Sequence, residues 1–250
     1  MLPFRKEVER ENMDIEKNLE EFQKIIGYEF KNKSLLKLAL THTSFANELK
    51  INRYGDNERL EFLGDAVLEL TSSDKIFKEH PEMSEGQMTR LRASIVCEPT
   101  LALCAREIGL DQHILLGKGE EMTGGRGRDS IVSDAFEAVI GAIYMDGGIA
   151  NAKEYILKFV FEDIEDKTLF YDSKTTLQEV VQSLGLETEY SLVSTEGPQH
   201  NMTFTAQAKA GDLFCMQGTG HTKKAAEQQA AYQALLKLKK DGVFTPSEGK

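Results

Sequence analysis

The chain has 250 residues, with 30 Lys or Arg and 41 Asp or Glu, and a formal net charge of −11. Its length suits one large or two modest domains, and its 40% hydrophobic content excludes wholesale disorder. No apolar stretch approaches the ~20 residues of a membrane span, and residues 1–13 lack the apolar segment of a secretory signal. Three widely spaced cysteines indicate free thiols, so we expect a cytoplasmic protein.

The first part of the chain predicts an all-α domain. Residues 1–14 are highly charged and are expected to form a flexible extension, whereas residues 15–166 carry helical patterns. The clearest pattern has apolar residues at positions i, i+3, i+4 and i+7, which are Leu63, Ala66, Val67 and Leu70. We expect this stripe to face a core.

The second part predicts a small α+β domain. Residues 167–173 break the pattern and are expected to form a linker, residues 174–241 a domain of order α-β-β-β-α, and residues 242–250 a flexible tail. The expected strands are Tyr190–Ser194, Met202–Ala210 and Leu213–Gly218, and the expected last helix is Lys223–Lys239.

Three acids share one face of a predicted helix in the segment NERLEFLGDAVLEL, residues 57–70. Glu58, Glu61 and Asp65 are spaced i, i+3 and i+7, so at ~100° per residue they lie within about 60° of one another. Like charges this close repel, so a positive partner should compensate them. Glu69 falls on the same face, which shows that spacing alone does not select the functional acids.

A second acid pair, Asp134 and Glu137, has i, i+3 spacing in SDAFEAVIGAIY. Two helices with two inward acids each would form a four-carboxylate pocket. Oxygen-only ligands suit Mg²⁺ or Mn²⁺, which activate water and stabilise charge on phosphate. The alternative is that these acids are ordinary solvated helix positions.

Two further segments carry clustered basic residues. Lys223 and Lys224 open the last predicted helix, with Thr222 as its N-cap. Cations in a first turn oppose the helix macrodipole, which favours a phosphate clamp over ordinary surface lysines. The glycine-rich residues 117–128, GKGEEMTGGRGR, lack the P-loop pattern and form either a connector or, through Arg126 and Arg128, a nucleic-acid contact.

The segment NERLEFLGDAVLEL closely resembles the signature of the ribonuclease III family. Three other segments resemble the family in the same order: ALTHTSFAN, SEGQMTRLRA and GKGEEMTGGRGRDSIVSDAFEAVIGAIY. The C-terminal unit resembles a double-stranded RNA-binding domain. The resemblance runs from about Leu19 to Leu238 and implies an all-α endonuclease domain followed by that small domain.

The resemblance also implies an activity. It implies hydrolysis of both strands of double-stranded RNA by a homodimer, with 5′-phosphate and 3′-hydroxyl ends, short 3′ overhangs and a role in ribosomal RNA precursor processing. It implies Mg²⁺, which Mn²⁺ may replace, but no organic cofactor and no membrane. A rival hypothesis is a catalytically silent RNA-binding regulator or ribosome-associated scaffold. The matching metal acids are Glu61, Asp65, Asp134 and Glu137, of which Asp65 and Glu137 are closest to cleavage, and the accessory acids are Glu58 and Glu85.

The same resemblance assigns RNA contacts in the second domain. Neutral polar groups can read the 2′-hydroxyls in the wide minor groove of duplex RNA, while the lysine pair holds phosphate. The matching residues are Thr176, Gln178, Glu179, Gln182, Pro198, His200, Lys223 and Lys224. Residues 171–250 have a net charge of −1, against −10 for residues 1–170, so acidity does not exclude RNA binding there.

Overall fold

The computed structural model describes residues 2–49, 55–197 and 202–244, with side chains from Met13 onwards. These residues form two compact units. The first contains the described residues up to Arg92 and those from Val96 to Glu162, and the second contains Ala93–Ile95 and those from Asp163 onwards.

The first unit is helical, as the sequence predicts. Its described residues form no strand beyond an isolated bridge between Thr41 and Leu115. The helices, with α5 running to Val96, are α1 (Leu2–Ile26), α2 (Lys33–Ala39), α3 (Thr43–Glu48), α4 (Glu58–Glu79), α5 (Glu85–Val96), α6 (Glu98–Glu107), α7 (Lys118–Met122), α8 (Asp129–Gly147) and α9 (Ile149–Phe159).

Helix α8 lies at the centre of the first unit. Every residue from Ala138 to Ile143 is buried, which matches a helix that is apolar nearly all round. Helix α4 packs along it through Leu60, Gly64 and Val67. The apolar stripe expected on α4 is therefore partly wrong, because Leu70 is 64% exposed and a neighbouring stripe faces α8.

The second unit has the predicted α-β-β-β-α order, preceded by one further helix. Its three strands form an antiparallel sheet in the order β1-β2-β3, and the two long helices cover a core that includes Leu177, Ala208 and Leu235. The elements are α10 (Ile164–Tyr171), α11 (Ser173–Ser183), β1 (Glu189–Glu196), β2 (Thr203–Ala210), β3 (Phe214–Gly220) and α12 (Lys223–Lys240).

The residues expected to form a linker, 167–173, are almost all helical. Leu169 is buried in the core of the second unit, and the Phe170 ring meets the Tyr232 ring edge-on at 5.4 Å between centroids. The Gln228 side-chain amide donates to the Phe170 carbonyl at 3.1 Å. Helix α10 is therefore part of the second unit, because apolar side chains in the apparent break find partners on α12.

The predicted flexible ends also differ from the structure. Helix α1 begins at Leu2, so most of residues 1–14 are helical, in keeping with the helix propensity of Glu, Lys and Arg. At the other end, the Phe244 amide donates to the Leu238 carbonyl, and its ring packs on the core. The rest of the predicted tail, residues 245–250, lies outside the described residues.

Candidate functional site

Carboxylates from α4 and α8 meet on one side of the first unit. Glu61 lies in the first turn of α4, and Asp134 and Glu137 lie on α8. One oxygen from each of these three half-buried groups lies within 4.8 Å of the other two. Asp65 is one turn along α4, and it is close enough for its charge to raise the pKa of Glu61 and of Glu137. The structure thus brings three of the expected metal acids together, with the fourth beside them.

Two glycines allow the helices that carry these acids to touch. A Cβ atom on Gly64 would lie 1.8 Å from the carbonyl oxygen of Glu137, and one on Gly141 would lie 2.2 Å from that of Leu60. No side chain fits at such distances, so main chain contacts main chain. This contact fixes how far the α4 carboxylates stand from the α8 carboxylates.

The clustered acids hold their protons more tightly than isolated ones. Burial, followed by the charges of the neighbouring acids Asp65, Asp134, Glu61 and Glu69, raises the pKa of Glu137 to about 8. Burial also raises the pKa of Glu61 and of Asp134. Among the described residues no Lys or Arg forms an ion pair with the three clustered acids. Within the described residues, the charge of His42 and a hydrogen bond from the Ser133 hydroxyl act in the opposite direction on Asp134, but burial and Glu98 outweigh them.

This donor set fits a hard divalent cation. All the donors are carboxylate oxygens, with no imidazole or thiolate in the cluster, which suits Mg²⁺ or Mn²⁺ better than Zn²⁺. A bound cation would also supply the missing positive charge, because an ion inverts the electrostatics of its site. The acidic cluster can therefore hold a metal.

The two accessory acids lie in different places. Glu58 accepts a hydrogen bond from the Thr43 hydroxyl at 3.1 Å, and its charge raises the pKa of Glu61, so it borders the cluster. Glu85 lines a separate groove of about 520 Å³ between α4 and α5, together with Leu70 and Phe77.

Glu69 and Glu98 show what helix spacing does and does not reveal. Glu69, which shares the face of the clustered acids, forms an ion pair with the Arg92 guanidinium at 2.9 Å, and its charge raises the pKa of Glu137. Sequence analysis missed Glu98, in the first turn of α6, whose charge raises the pKa of Asp134. Spacing within one helix cannot predict an acid that arrives from another.

The glycine-rich segment is held together by its own arginines. Arg126 donates to the Glu121 carboxylate and to the Ile114 carbonyl, both at 3.0 Å. Arg128 forms an ion pair with Glu120 at 2.6 Å. Both guanidinium groups are thus engaged within this part of the first unit, which favours the connector over the RNA contact.

In the second unit, the predicted phosphate clamp is exposed at the start of α12. The Thr222 hydroxyl accepts from the Ala225 amide at 3.0 Å, which confirms the N-cap. Lys223 and Lys224 follow it, and the Lys223 ammonium lies 3.9 Å from Glu227. The α11 residues Gln178, Glu179 and Gln182 are exposed and Thr176 is half-buried, while Pro198 and His200 lie outside the described residues.

Comparison with known proteins matches both units. Residues 32–164 match the ribonuclease-III-like family, and residues 173–238 match the double-stranded RNA binding motif. The chain is 50% identical over 218 residues to ribonuclease 3 of Caldanaerobacter subterraneus subsp. tengcongensis, covering 85% of this chain and 95% of that protein. It is 47% identical over 221 residues to ribonuclease 3 of Bacillus cereus (strain G9842), covering 87% and 90%.

A solved structure adds a match in three dimensions. The nuclease domain of ribonuclease III from Campylobacter jejuni is 41% identical, with a TM-score of 0.54, and the match covers 58% of this chain and 97% of that one. That structure is described as showing flexibility in a region involved in dimer formation. This chain belongs to the ribonuclease III family.

Family membership confirms the resemblance drawn from the sequence, including the fold class. It makes the chain an enzyme, a ribonuclease with a motif for double-stranded RNA, and it does not favour the silent scaffold. None of the helices in the described part of the chain combines the length and apolar character that a membrane crossing requires.

Proposed function

We propose that this ribonuclease III cleaves both strands of double-stranded RNA by metal-dependent phosphodiester hydrolysis. The products carry 5′-phosphate and 3′-hydroxyl ends with short 3′ overhangs. One observation carries the proposal: Glu61, Asp134 and Glu137 meet in a half-buried cluster, on a chain that also carries a double-stranded RNA binding motif.

Four carboxylates have the central roles. The cation, Mg²⁺ or in its place Mn²⁺, is held by Glu61, Asp65, Asp134 and Glu137. Of these, Asp65 and Glu137 are the two most directly involved in the cleavage step. When bound, such a cation supplies an activated water and stabilises charge on the phosphate. The carboxylates fix the position of that chemistry. Glu58, which borders the cluster, and Glu85, in the separate groove between α4 and α5, act as accessory acids.

The second unit binds the duplex. Lys223 and Lys224 hold phosphate at the start of α12, where free N–H groups and the helix dipole add positive character. The polar face of α11, with Thr176, Gln178, Glu179 and Gln182, and the loop with Pro198 and His200 contact the minor groove. Such contacts favour RNA over DNA and duplex shape over sequence.

The active form is a homodimer, so that each of two acid clusters cuts one strand. An apolar surface on α4 supports this: Phe62, Leu70 and Phe77 are 80%, 64% and 71% exposed. Large apolar side chains that cluster on a surface are typical of an interface. The description of the Campylobacter jejuni nuclease domain also refers to dimer formation.

The cellular role is processing of ribosomal RNA precursors and of some messenger RNAs. We place the enzyme in the cytoplasm, where RNA precursors and a reducing environment occur together. Its three cysteines are free thiols, which fits such a compartment.

The test compares two isosteric substitutions on labelled duplex RNA in Mg²⁺. Glu137→Gln removes a clustered carboxylate, and Glu154→Gln removes an exposed carboxylate of α9 as a matched control. We expect cleavage by the parent and by Glu154→Gln, and binding with little cleavage by Glu137→Gln. Equal cutting by both variants would contradict the site, and a parent inactive in both Mg²⁺ and Mn²⁺ would favour the silent RNA-binding protein.

A further inference from the structure

The glycine contacts between α4 and α8 lie at the clustered carboxylates themselves. Gly64 lies between Glu61 and Asp65 in the chain. Because it has no side chain, the carbonyl oxygen of Glu137 can lie against it. Gly141 lies one turn after Glu137, and it leaves room for the carbonyl of Leu60, the neighbour of Glu61. The first contact therefore joins the main chain of Glu137 to α4 next to Asp65, and the second joins α8, one turn after Glu137, to the main chain next to Glu61.

At these two glycines, helices α4 and α8 are closer together than interposed side chains would permit. Packed helices usually have their axes 8–10 Å apart, with side chains interleaved between them. An alanine methyl at Gly141 would begin 2.2 Å from the Leu60 carbonyl oxygen, where a contact shorter than 3.0 Å forces a shift. The obstacle is main chain, which cannot swing aside as the end of a flexible side chain can. The helices would then have to shift locally by at least about 1 Å, because van der Waals contact needs roughly 3.5–4.0 Å.

A change of about 1 Å is the scale on which divalent cations differ. Mg²⁺ demands near-ideal octahedral geometry with oxygen at roughly 2.0–2.1 Å, whereas Ca²⁺ accepts oxygen at roughly 2.3–2.6 Å in a flexible shell. Across a cation held from two sides, the distance between opposite oxygens differs by about 0.5–1 Å between these ions. A site that spans two helices therefore selects cation size through the distance between them.

We propose that Gly64 and Gly141 are positioning residues that set the cation size of the cluster, holding α4 and α8 at the separation that suits Mg²⁺. The inference rests on the proposed metal site and concerns which ion it prefers. Alanine at either glycine would widen the gap between Glu61 and the α8 acids, which penalises the small ion and spares the large one.

The experiment measures the dissociation constants of Mg²⁺ and Ca²⁺ on the full chain by calorimetry, without RNA. The variants are Gly141→Ala and a control, Ile140→Val, which trims a fully buried side chain of the same helix without adding a main-chain contact. We expect the parent to prefer Mg²⁺. We expect Gly141→Ala to lose about tenfold in Mg²⁺ affinity, in the range seen when metal-ligand positioning is disturbed, with a smaller change for Ca²⁺.

The ratio of the two affinities separates positioning from simple packing. Ile140→Val should keep the parent's ratio, although its core is less well filled. An unchanged ratio in Gly141→Ala would overturn the inference while leaving the metal site in place. A parent that binds neither ion would overturn the proposed metal site itself.

A folding defect does not remove the test. If Gly141→Ala is unfolded alone, the concentration of each cation that restores its helical circular-dichroism signal replaces the dissociation constant. Recovery at lower Ca²⁺ than Mg²⁺ supports the inference, and recovery at lower Mg²⁺, or no recovery with either ion, overturns it. Gly64→Ala, whose added carbon would meet the Glu137 oxygen at 1.8 Å, should show the same shift in preference.

Discussion

Glu137 and Asp74 are carboxylates of the same helical unit, yet their surroundings shift their pKa values in opposite directions. Burial and four neighbouring acids raise the pKa of Glu137 to about 8. Hydrogen bonds from Lys153 and Lys78 lower the pKa of Asp74 to about 2. The chain thus gives Asp74 two lysines, whereas no Lys or Arg of the described residues forms an ion pair with Glu61, Asp134 or Glu137, although these acids are the more buried. Burial makes the charged form of these clustered acids unfavourable, and no Lys or Arg in the described part of the chain compensates it through an ion pair. This indicates that a cation from outside the chain supplies the positive charge.

The second unit repeats this contrast with the signs reversed. Lys239, at the far end of α12, is paired with Asp166 at 2.9 Å, and that hydrogen bond raises its pKa. Lys224, at the start of the same helix, forms no ion pair with any described residue. Lys223, beside Lys224, has only a long contact of 3.9 Å to Glu227. The close ion pair of Lys239 therefore serves the fold, whereas the lysines that open α12 lie where we expect phosphate.

The largest effect should appear in the cleavage rate. We expect Asp134→Asn to slow single-turnover cleavage of duplex RNA at least ~10³-fold, because metal stabilisation of transition-state charge is worth several kcal/mol. Asp74→Asn, the same change at a paired acid, should leave the rate within about twofold, since Asp74 faces lysines and not the cluster. Comparable losses in the two variants would break the contrast between clustered and paired acids.

The next effect is on the stability of the metal-free protein. The folded-state pKa of Glu137 exceeds its usual value of 4.5, so folding favours the protonated form. The stability of the protein in EDTA should therefore fall, by a few kcal/mol at most, as pH rises from about 4.5 to about 8. Thermal unfolding at pH 5 and pH 9 checks this.

Two variants isolate the source of that pH dependence. Glu137→Gln should remove the fall and make the metal-free protein more stable than the parent at pH 9. Asp74→Asn should lower stability equally at both pH values, because the lowered pKa of Asp74 confines its titration to the region of pH 2–4. A parent with equal stability at pH 5 and pH 9 would show that the cluster is not strained by its own charge.

Local periodicity explains how much of the site could be predicted. Glu58, Glu61 and Asp65 share a face because helix geometry is fixed by spacing, and the same holds for Asp134 and Glu137. That α4 and α8 would touch at Gly64 and Gly141 depends on two helices meeting, which no spacing within either helix encodes. The choice of buried stripe on α4 failed for the same reason, since Leu70 is as apolar as the residues that face α8.

The misplaced linker has a similar physical origin. Two neighbouring apolar residues, Leu169 and Phe170, do not give the periodic pattern that predicts an amphipathic helix. Their packing partners, among them Tyr232, lie about 60 residues further along the chain. Apart from its first residue, Ile164, helix α10 lies outside both family matches, since one ends at residue 164 and the other begins at residue 173. Tertiary contacts therefore decide the conformation of residues that local patterns leave open.

The lysine contrast predicts a moderate effect on binding. We expect the double variant Lys223→Ala, Lys224→Ala to bind duplex RNA of any sequence more weakly, with a salt-dependence slope smaller by about 2, roughly one for each lost phosphate contact. Lys239→Ala, a paired lysine of the same helix, should keep the parent's affinity and slope. Filter binding across a series of salt concentrations measures both, and a loss confined to certain RNA sequences would contradict the clamp.

The smallest effect concerns a paired acid at the domain connection. Asp166 and Lys239 form an exposed ion pair, and such pairs contribute about 0.2–1 kcal/mol, so Asp166→Asn should destabilise the docking of α10 by no more than that. The larger part of the docking comes from Leu169 and Phe170, which Asp166→Asn leaves in place. Hydrogen exchange on the full chain should therefore find the amides of residues 168–171 protected in both the parent and the variant. Rapid exchange of these amides in the parent would instead support the flexible linker that the sequence predicted. The ion pair between Asp166 and Lys239 would then not contribute to a stable fold of α10.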